Sequence, residues 1–521
     1  MLRPGVSSLS LKPGDSSLDV RAVSSEQLND KLYLLVNSNH EITANQLRTP
    51  EINHETTNVS KIQIIYTPEN SIDTEIKLYA KRWLILFIFS SISLLSAFNW
   101  IEYNIVQDVV IFYYNQSLPD DQVKKIDAVN WFSMVYMLCY IPLVFPAMFL
   151  LERKGLKLSC SIGAFLTLLG SLIKCFAVNP NLFYLAMTGQ TFCAIGQAFT
   201  LGIPARLSAL WFGPNEIGLA TSIGVFGNQL GTAIGFVVPP RLVHKKDPVD
   251  VIEKNFYSIF ITVAVLCAIF FILSLIFVSN QPVKAPSRAQ LEVRKSAALR
   301  KDVNDFDIFK ESLKNLFKNF DYILVLVSYG VNTGVYYSIS TLLNLIISNY
   351  YENENENIGL IGLILVASGL IGAVVCGFVL DRTKQFKYTT LVIYVSSFLA
   401  MIIFSLTLQI NIWLIFWTTF LLGFFMTGYL PVGFELAAEV TYPVSEGTSC
   451  GLLNSSAQIF GILFTYTQGR IIISYGSFYG NVFLIAMLLI GTILTALVRQ
   501  NFKRQEAIKM ALKEIEEHEH C

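Results

Sequence analysis

The chain has 521 residues, 53% hydrophobic and 15% charged, with 38 basic residues balancing 38 acidic ones. Soluble domains carry about 25% charged residues, so a soluble multidomain protein is excluded. Zero net charge and the lack of a basic run interleaved with aromatics exclude a nucleic-acid partner.

Residues 1–80 are polar, rich in Ser, Asn, Thr and Glu, and have no apolar core behind a basic start. They read as a disordered cytosolic tail without a cleavable signal. Twelve apolar stretches follow, near 84–111, 129–151, 158–178, 182–207, 217–240, 256–279, 322–348, 358–380, 388–408, 411–439, 449–474 and 478–498. Each is long enough to cross a bilayer. They divide into two groups of six, in 81–280 and 321–499, around a cytosolic basic linker at 281–320, and residues 500–521 form a cytosolic C-terminal tail. The fold class expected is an all-α membrane protein of twelve transmembrane helices in two pseudo-symmetric six-helix halves.

Basic residues set the orientation. Lys81, Arg82, Arg153, Lys154, Lys157, nine Lys/Arg between Gln281 and Phe320, Arg382, Lys384, Lys387, Arg499, Lys503 and Arg504 fall on one side. Both termini are therefore expected in the cytosol. The opposite loops are poorer in positive charge, with Lys124, Lys125, Lys245 and Lys246 as exceptions, and the first carries the sequon Asn115-Gln116-Ser117, a candidate glycosylation site at Asn115. Span two ends in Glu152-Arg153 and span eight in Asp381-Arg382, six spans later. An acid and an arginine repeated at matching helix ends can pair with neighbouring helices and close the cytosolic side. Ordinary basic flanking is the plainer reading of the same residues. The eight cysteines lie mostly within apolar stretches and show no metal-ligand spacing, so they read as packing groups, with neither metal nor cofactor implied.

Polar groups at membrane depth face a cavity or another helix. On span one Trp100, Tyr103, Asn104 and Gln107 recur at i, i+3, i+4 and i+7, which predicts a shared inward face. Span two offers Trp131, Tyr136, Met137 and Tyr140, span four Gln190 and Gln197, and span five Asn228 and Gln229. Span seven adds Tyr329, Asn332, Tyr336 and Tyr337, and span eleven Asn454 and Gln458. Together they outline a neutral, aromatic, amide-lined cavity suited to a small organic cation, although each amide alone serves equally well as interhelical glue. All five histidines lie outside the spans, so no proton relay is visible and downhill facilitation is expected. Among Glu102, Asp108, Lys174 and Glu435, only Glu102 is expected deep in the membrane; the other three should snorkel from span ends. Glu102 lies about 200° around the helix from Trp100. No acid, base and nucleophile share one depth, so no catalytic residues are assigned and an enzyme is not expected.

Several motifs closely resemble the feline leukaemia virus subgroup C receptor family. They are Phe98-Asn99-Trp100, Trp131-Phe132-Ser133-Met134-Val135-Tyr136-Met137, Trp211-Phe212-Gly213-Pro214, Gly227-Asn228-Gln229-Leu230-Gly231-Thr232-Ala233, Gly423-Phe424-Phe425-Met426-Thr427-Gly428-Tyr429-Leu430-Pro431, and the run from Gly451 to Gly461 containing Asn454 and Gln458. The resemblance spans about residues 80–500. It implies the major facilitator fold and transport of choline, with ethanolamine in some members; haem export has also been assigned to the family. It also implies a cation-binding pair at Trp100 and Tyr337, cavity amides at Gln197 and Gln458, and further cavity positions at Tyr136, Met137 and Asn228. Asn99 and Glu102 depart from the family pattern, which has Gln and an uncharged residue there. The expectation is a monomeric facilitator in the lipid bilayer of the plasma membrane, carrying choline or ethanolamine for phospholipid synthesis by alternating access. Haem export and a non-transporting receptor or scaffold are the alternatives.

Overall fold

The computed structural model describes residues 76–499 apart from 214–215, 288–289, 292–293, 295–304, 384, 443 and 445. Residues 1–75 of the expected N-terminal tail at 1–80, the expected C-terminal tail at 500–521, and the centre of the basic linker lie outside the described residues. Span one comprises α1 (Lys81–Ile101), a 3-10 turn (Asn104–Val106) and α2 (Gln107–Tyr113). Spans two and three are α3 (Gln122–Arg153) and α4 (Leu156–Phe176), and span four is divided into α5 (Phe183–Thr200) and α6 (Ile203–Trp211). Spans five and six are α7 (Ile217–Leu242) and α8 (Val249–Phe277). After the linker helix α9 (Asp305–Lys318) come α10 (Phe320–Ser348), α11 (Asn355–Thr383), α12 (Phe386–Thr407), α13 (Ile412–Thr441), α14 (Glu446–Tyr475) and α15 (Ser477–Leu497). Among the described residues, ten segments are long and apolar enough to cross a membrane. The other two expected spans fall short of that measure because they are more polar: α5 of span four carries Gln190 and Gln197, and α14 carries Asn454, Gln458, Gln468 and Arg470.

Local sequence sets the helix ends. Asp121, Asn319 and Asn411 each accept from the backbone N–H two or three residues on, capping α3, α10 and α13. The interruption of span one differs from the continuous helix expected, and it contains neither Pro nor Gly. Side-chain amides hold it instead: Asn104 Nδ2 donates to the Val129 carbonyl (3.4 Å), Gln107 Nε2 to Asn130 Oδ1 (2.8 Å), and Asn344 Nδ2 to the Ile105 carbonyl (2.9 Å). Irregular backbone at membrane depth persists where protein groups satisfy it in this way.

Neighbour pairs repeat between halves. In the first, span one packs on five, two on four, three on four and six. In the second, seven packs on eleven, eight on ten, nine on ten and twelve. The halves meet along α7 with α11 and α3 with α14, which are also equivalent pairs. Glycine permits the closest crossings: a Cβ at Gly231 would meet the Leu94 backbone, and one at Gly372 the Phe424 backbone.

The face carrying Ile76 and Arg499 is termed inner, following the basic-residue expectation. On the outer face the halves are joined. Asn344 links to Ile105 and to Asn355 Oδ1 (3.0 Å), and Asn355 Nδ2 donates to both Asp108 oxygens (3.2 Å). Arg470 pairs with Asp127 (2.7 Å) and His244 contacts Glu356 (3.5 Å), while Phe236 fills the space left by Gly359 and Gly362. Nearer the inner ends of α7 and α11, Gly218 and Gly377 have nothing within 4 Å of where a Cβ would stand.

Candidate substrate cavity

Trp100 sits one residue before the end of α1, and Tyr337 lies midway along α10. Their rings meet edge to face across the two halves, with centroids 5.9 Å apart and planes at 76°. This leaves two aromatic surfaces at an angle, the geometry in which a cation can touch both π faces. Trp100 is 9% exposed and Tyr337 half-buried. Gln458 of α14 is buried and interacts with the Tyr337 side chain. One turn on, a Cβ at Gly461 would lie 2.9 Å from Met137 Sδ and 3.2 Å from Tyr337 Cδ2, so Met137, Tyr337 and α14 converge at one wall.

Gln197 and Asn228 are half-buried, on α5 just before its interruption and midway along α7, and neither side chain has a hydrogen bond among the described residues. Their donors and acceptors remain available to a ligand or water. Tyr136 is 3% exposed and its hydroxyl is directed towards Cys193, inside the first half. Tyr336 tilts against Tyr337 but engages Thr427 and Ser340 in the second half. Outside this cavity, a recess of about 350 Å³ on the outer face is bordered by Gln107, Asp108, Phe112 and Asn344.

The expected inward face of span one does not form, because the 3-10 turn changes the helical phase after Ile101. Only Trp100 of the four reaches the aromatic pair. Tyr103 stacks on Phe132 at 4.1 Å and packs on Phe260 within the first half, while Asn104 and Gln107 bind α3. Lys174 also departs from expectation: it does not snorkel, but is 1% exposed and paired with Glu102 at 2.5 Å. Sequence reasoning missed this pair. Glu102 and Lys174 both lie near the outer ends of helices that begin at the inner face, a depth match that could have signalled it.

At the inner face Glu152, Arg153 and Arg382 are exposed, with the Arg153 guanidinium 5.8 Å from the Phe149 ring centroid; the Asp381 side chain lies outside the described residues. Asn115 is exposed on the outer loop and accepts from Lys125 Nζ (2.5 Å).

Two six-helix bundles with the same order of helix neighbours, meeting at the Trp100–Tyr337 pair, have the architecture of a major facilitator transporter, and the chain belongs to the Major Facilitator Superfamily, matching it over residues 79–465. Its fold is similar to that of a D-xylose-proton symporter (TM-score 0.64, 13% identity, 81% of this chain and 99% of that one). It is also similar to a bacterial homologue of the human lysosomal transporter Spinster in an inward-facing, unoccupied conformation (TM-score 0.61, 14% identity, 82% and 99%). Within the superfamily the chain belongs to the feline leukaemia virus subgroup C receptor family. It is 46% identical to the choline/ethanolamine transporter flvcr2a of Danio rerio, over 83% of this chain and 89% of the relative. Identity is 44% to choline/ethanolamine transporter FLVCR1 of Felis catus (84% and 76%) and 41% to FLVCR2 of Homo sapiens (84% and 81%).

Proposed function

We propose that this chain carries choline, and ethanolamine, down their gradients by alternating access, supplying phospholipid synthesis. The observation that carries the reading is the Trp100–Tyr337 pair, an aromatic corner contributed by both halves. A quaternary ammonium gains about 0.5–2 kcal/mol from each ring face and forms no covalent or metal bond, so it can leave again. Gln458, beside Tyr337, and the uncommitted amide of Gln197 are suited to the hydroxyl end, with Asn228, Met137 and Tyr136 shaping the remaining wall. The relatives named choline/ethanolamine transporters support this substrate class.

In this structure the two halves are tied together at the outer face by the Asn344, Asn355 and Arg470 contacts. Rocking of the halves would break the Asn344 and Asn355 hydrogen bonds and bring the inner ends together, where Glu152, Arg153, Asp381 and Arg382 act as gate residues. The carrier works as a monomer in the plasma membrane with both termini cytosolic and a glycan on Asn115. Haem export is disfavoured, because the cavity wall offers no histidine for axial ligation and the aromatic corner is small. Uptake of radiolabelled choline, ethanolamine and haem by cells expressing the chain tests the proposal. Choline accumulation above control cells is expected, and haem flux without choline flux would overturn it.

A further inference from the structure

A second polar cluster lies directly behind Trp100 and takes no part in the cavity. Lys174 Nζ donates to Glu102 Oε1 (2.5 Å), to Gln190 Oε1 (3.1 Å) and to Asn99 Oδ1. It also stands 5.8 Å from the Tyr103 ring centroid and 5.9 Å from that of Phe260. Gln190 Nε2 donates onward to the Asn99 carbonyl and to the Phe132 carbonyl (3.2 Å), which fixes the cage to α1, α3 and α5. All three ammonium protons are committed to a carboxylate and two amide oxygens, with aromatic faces on the flanks. The chemistry is that of a primary-ammonium site, filled by the chain's own lysine.

We propose that Lys174 is the counter-charge that withdraws Glu102 from cation recognition, so that rings and amides alone bind the ammonium ligand at a site of zero net protein charge. The inference rests on the choline reading above. Trp100 and Glu102 are two residues apart on opposite sides of one helix, so the carboxylate stands about one helix diameter, about 10 Å, from a cation held at Trp100. An unpaired unit charge at that range, with an effective dielectric constant of about 20, changes cation affinity by about tenfold. An unpaired carboxylate would therefore strengthen binding and slow release of the cation. The pairing lets the chain keep an acid at this depth without altering the site's charge.

The test is equilibrium binding of choline, and of its uncharged isostere 3,3-dimethylbutan-1-ol, to the purified full chain carrying Glu102→Gln, Lys174→Met or both changes, at pH 8.5. Glu102→Gln leaves an ammonium unpaired and is expected to weaken choline about tenfold. Lys174→Met leaves a carboxylate unpaired and is expected to tighten choline by a similar factor. The double variant should bind within about threefold of wild type, and the isostere should be unmoved throughout. Both single variants weakening choline, Lys174→Met failing to tighten it, or the isostere following choline would overturn the inference and leave the pair a structural tie. A single variant with a lone buried charge can fail to fold. The double variant then decides, since retained affinity upholds the inference and a tenfold loss assigns Glu102 a direct attraction. A wild-type chain that binds no choline would instead remove the choline reading itself.

Discussion

Replacing Trp100 separates cation recognition from packing at the same residue. The indole is 9% exposed and meets Tyr337 edge to face at 5.9 Å, so it contributes one of two ring faces to the corner and also supports the other ring. Loss of one desolvated cation–π face costs about 1–2 kcal/mol. The lost ring–ring contact adds about 0.5–1.5 kcal/mol that does not depend on ligand charge. At about 1.4 kcal/mol per decade, Trp100→Leu should weaken choline by about 5- to 30-fold more than it weakens 3,3-dimethylbutan-1-ol, which has the same shape without the charge. Trp100→Phe keeps a ring with a weaker quadrupole and should fall between, at a few-fold. Calorimetric titration of both ligands into the purified variants measures the difference. Equal losses for the charged and uncharged ligands would refute the ring-face account and reduce Trp100 to a packing residue.

Gln458→Ala should weaken choline by about tenfold but leave tetramethylammonium nearly unchanged, because that ion has no hydroxyl for the amide; competition binding of the two ions checks this. Gly231→Ala places a methyl within 2.7 Å of the Leu94 carbonyl carbon, so α1 and α7 must separate; a cost of about 1–3 kcal/mol is expected, read as a lowered unfolding temperature in detergent. Choline flux should be insensitive to sodium and to an imposed pH gradient at fixed voltage, while responding to membrane potential at about 2.3 kcal/mol per charge per 100 mV; flux assays in liposomes with clamped potentials measure both.

Span positions, the twofold repeat of helix neighbours and the aromatic pair were legible because they follow from hydropathy, from motif order and from the family resemblance. The interruption of span one was not. Backbone breaks are ordinarily signalled by Pro or Gly, whereas residues 102–106 contain neither, and the amides that stabilise the break come from Asn130 on α3 and Asn344 on α10. Extrapolating one helical phase through the break placed Tyr103, Asn104 and Gln107 on Trp100's face, where the structure turns them into the first half. Lys174 was misread for a related reason. A lysine two residues from a helix end ordinarily snorkels, and only the long-range approach of α4 to α1 gives it a carboxylate to bury against. The choice between Tyr336 and Tyr337 rested on the resemblance, since adjacent tyrosines carry no distinguishing pattern; in the fold, Tyr336 engages Thr427 while Tyr337 meets Trp100.

Counterflow in sealed liposomes tests the central claim most directly. Vesicles holding the purified chain are loaded with millimolar unlabelled choline, diluted into a trace of radiolabelled choline, and followed for transient accumulation of label. A carrier that exposes one aromatic corner alternately to each face must exchange, so wild type should overshoot the equilibrium level of label, and Tyr337→Ala should lose most of that overshoot while remaining folded. Label that merely equilibrates with the wild-type chain present, or an overshoot that survives unchanged in Tyr337→Ala, would contradict the account.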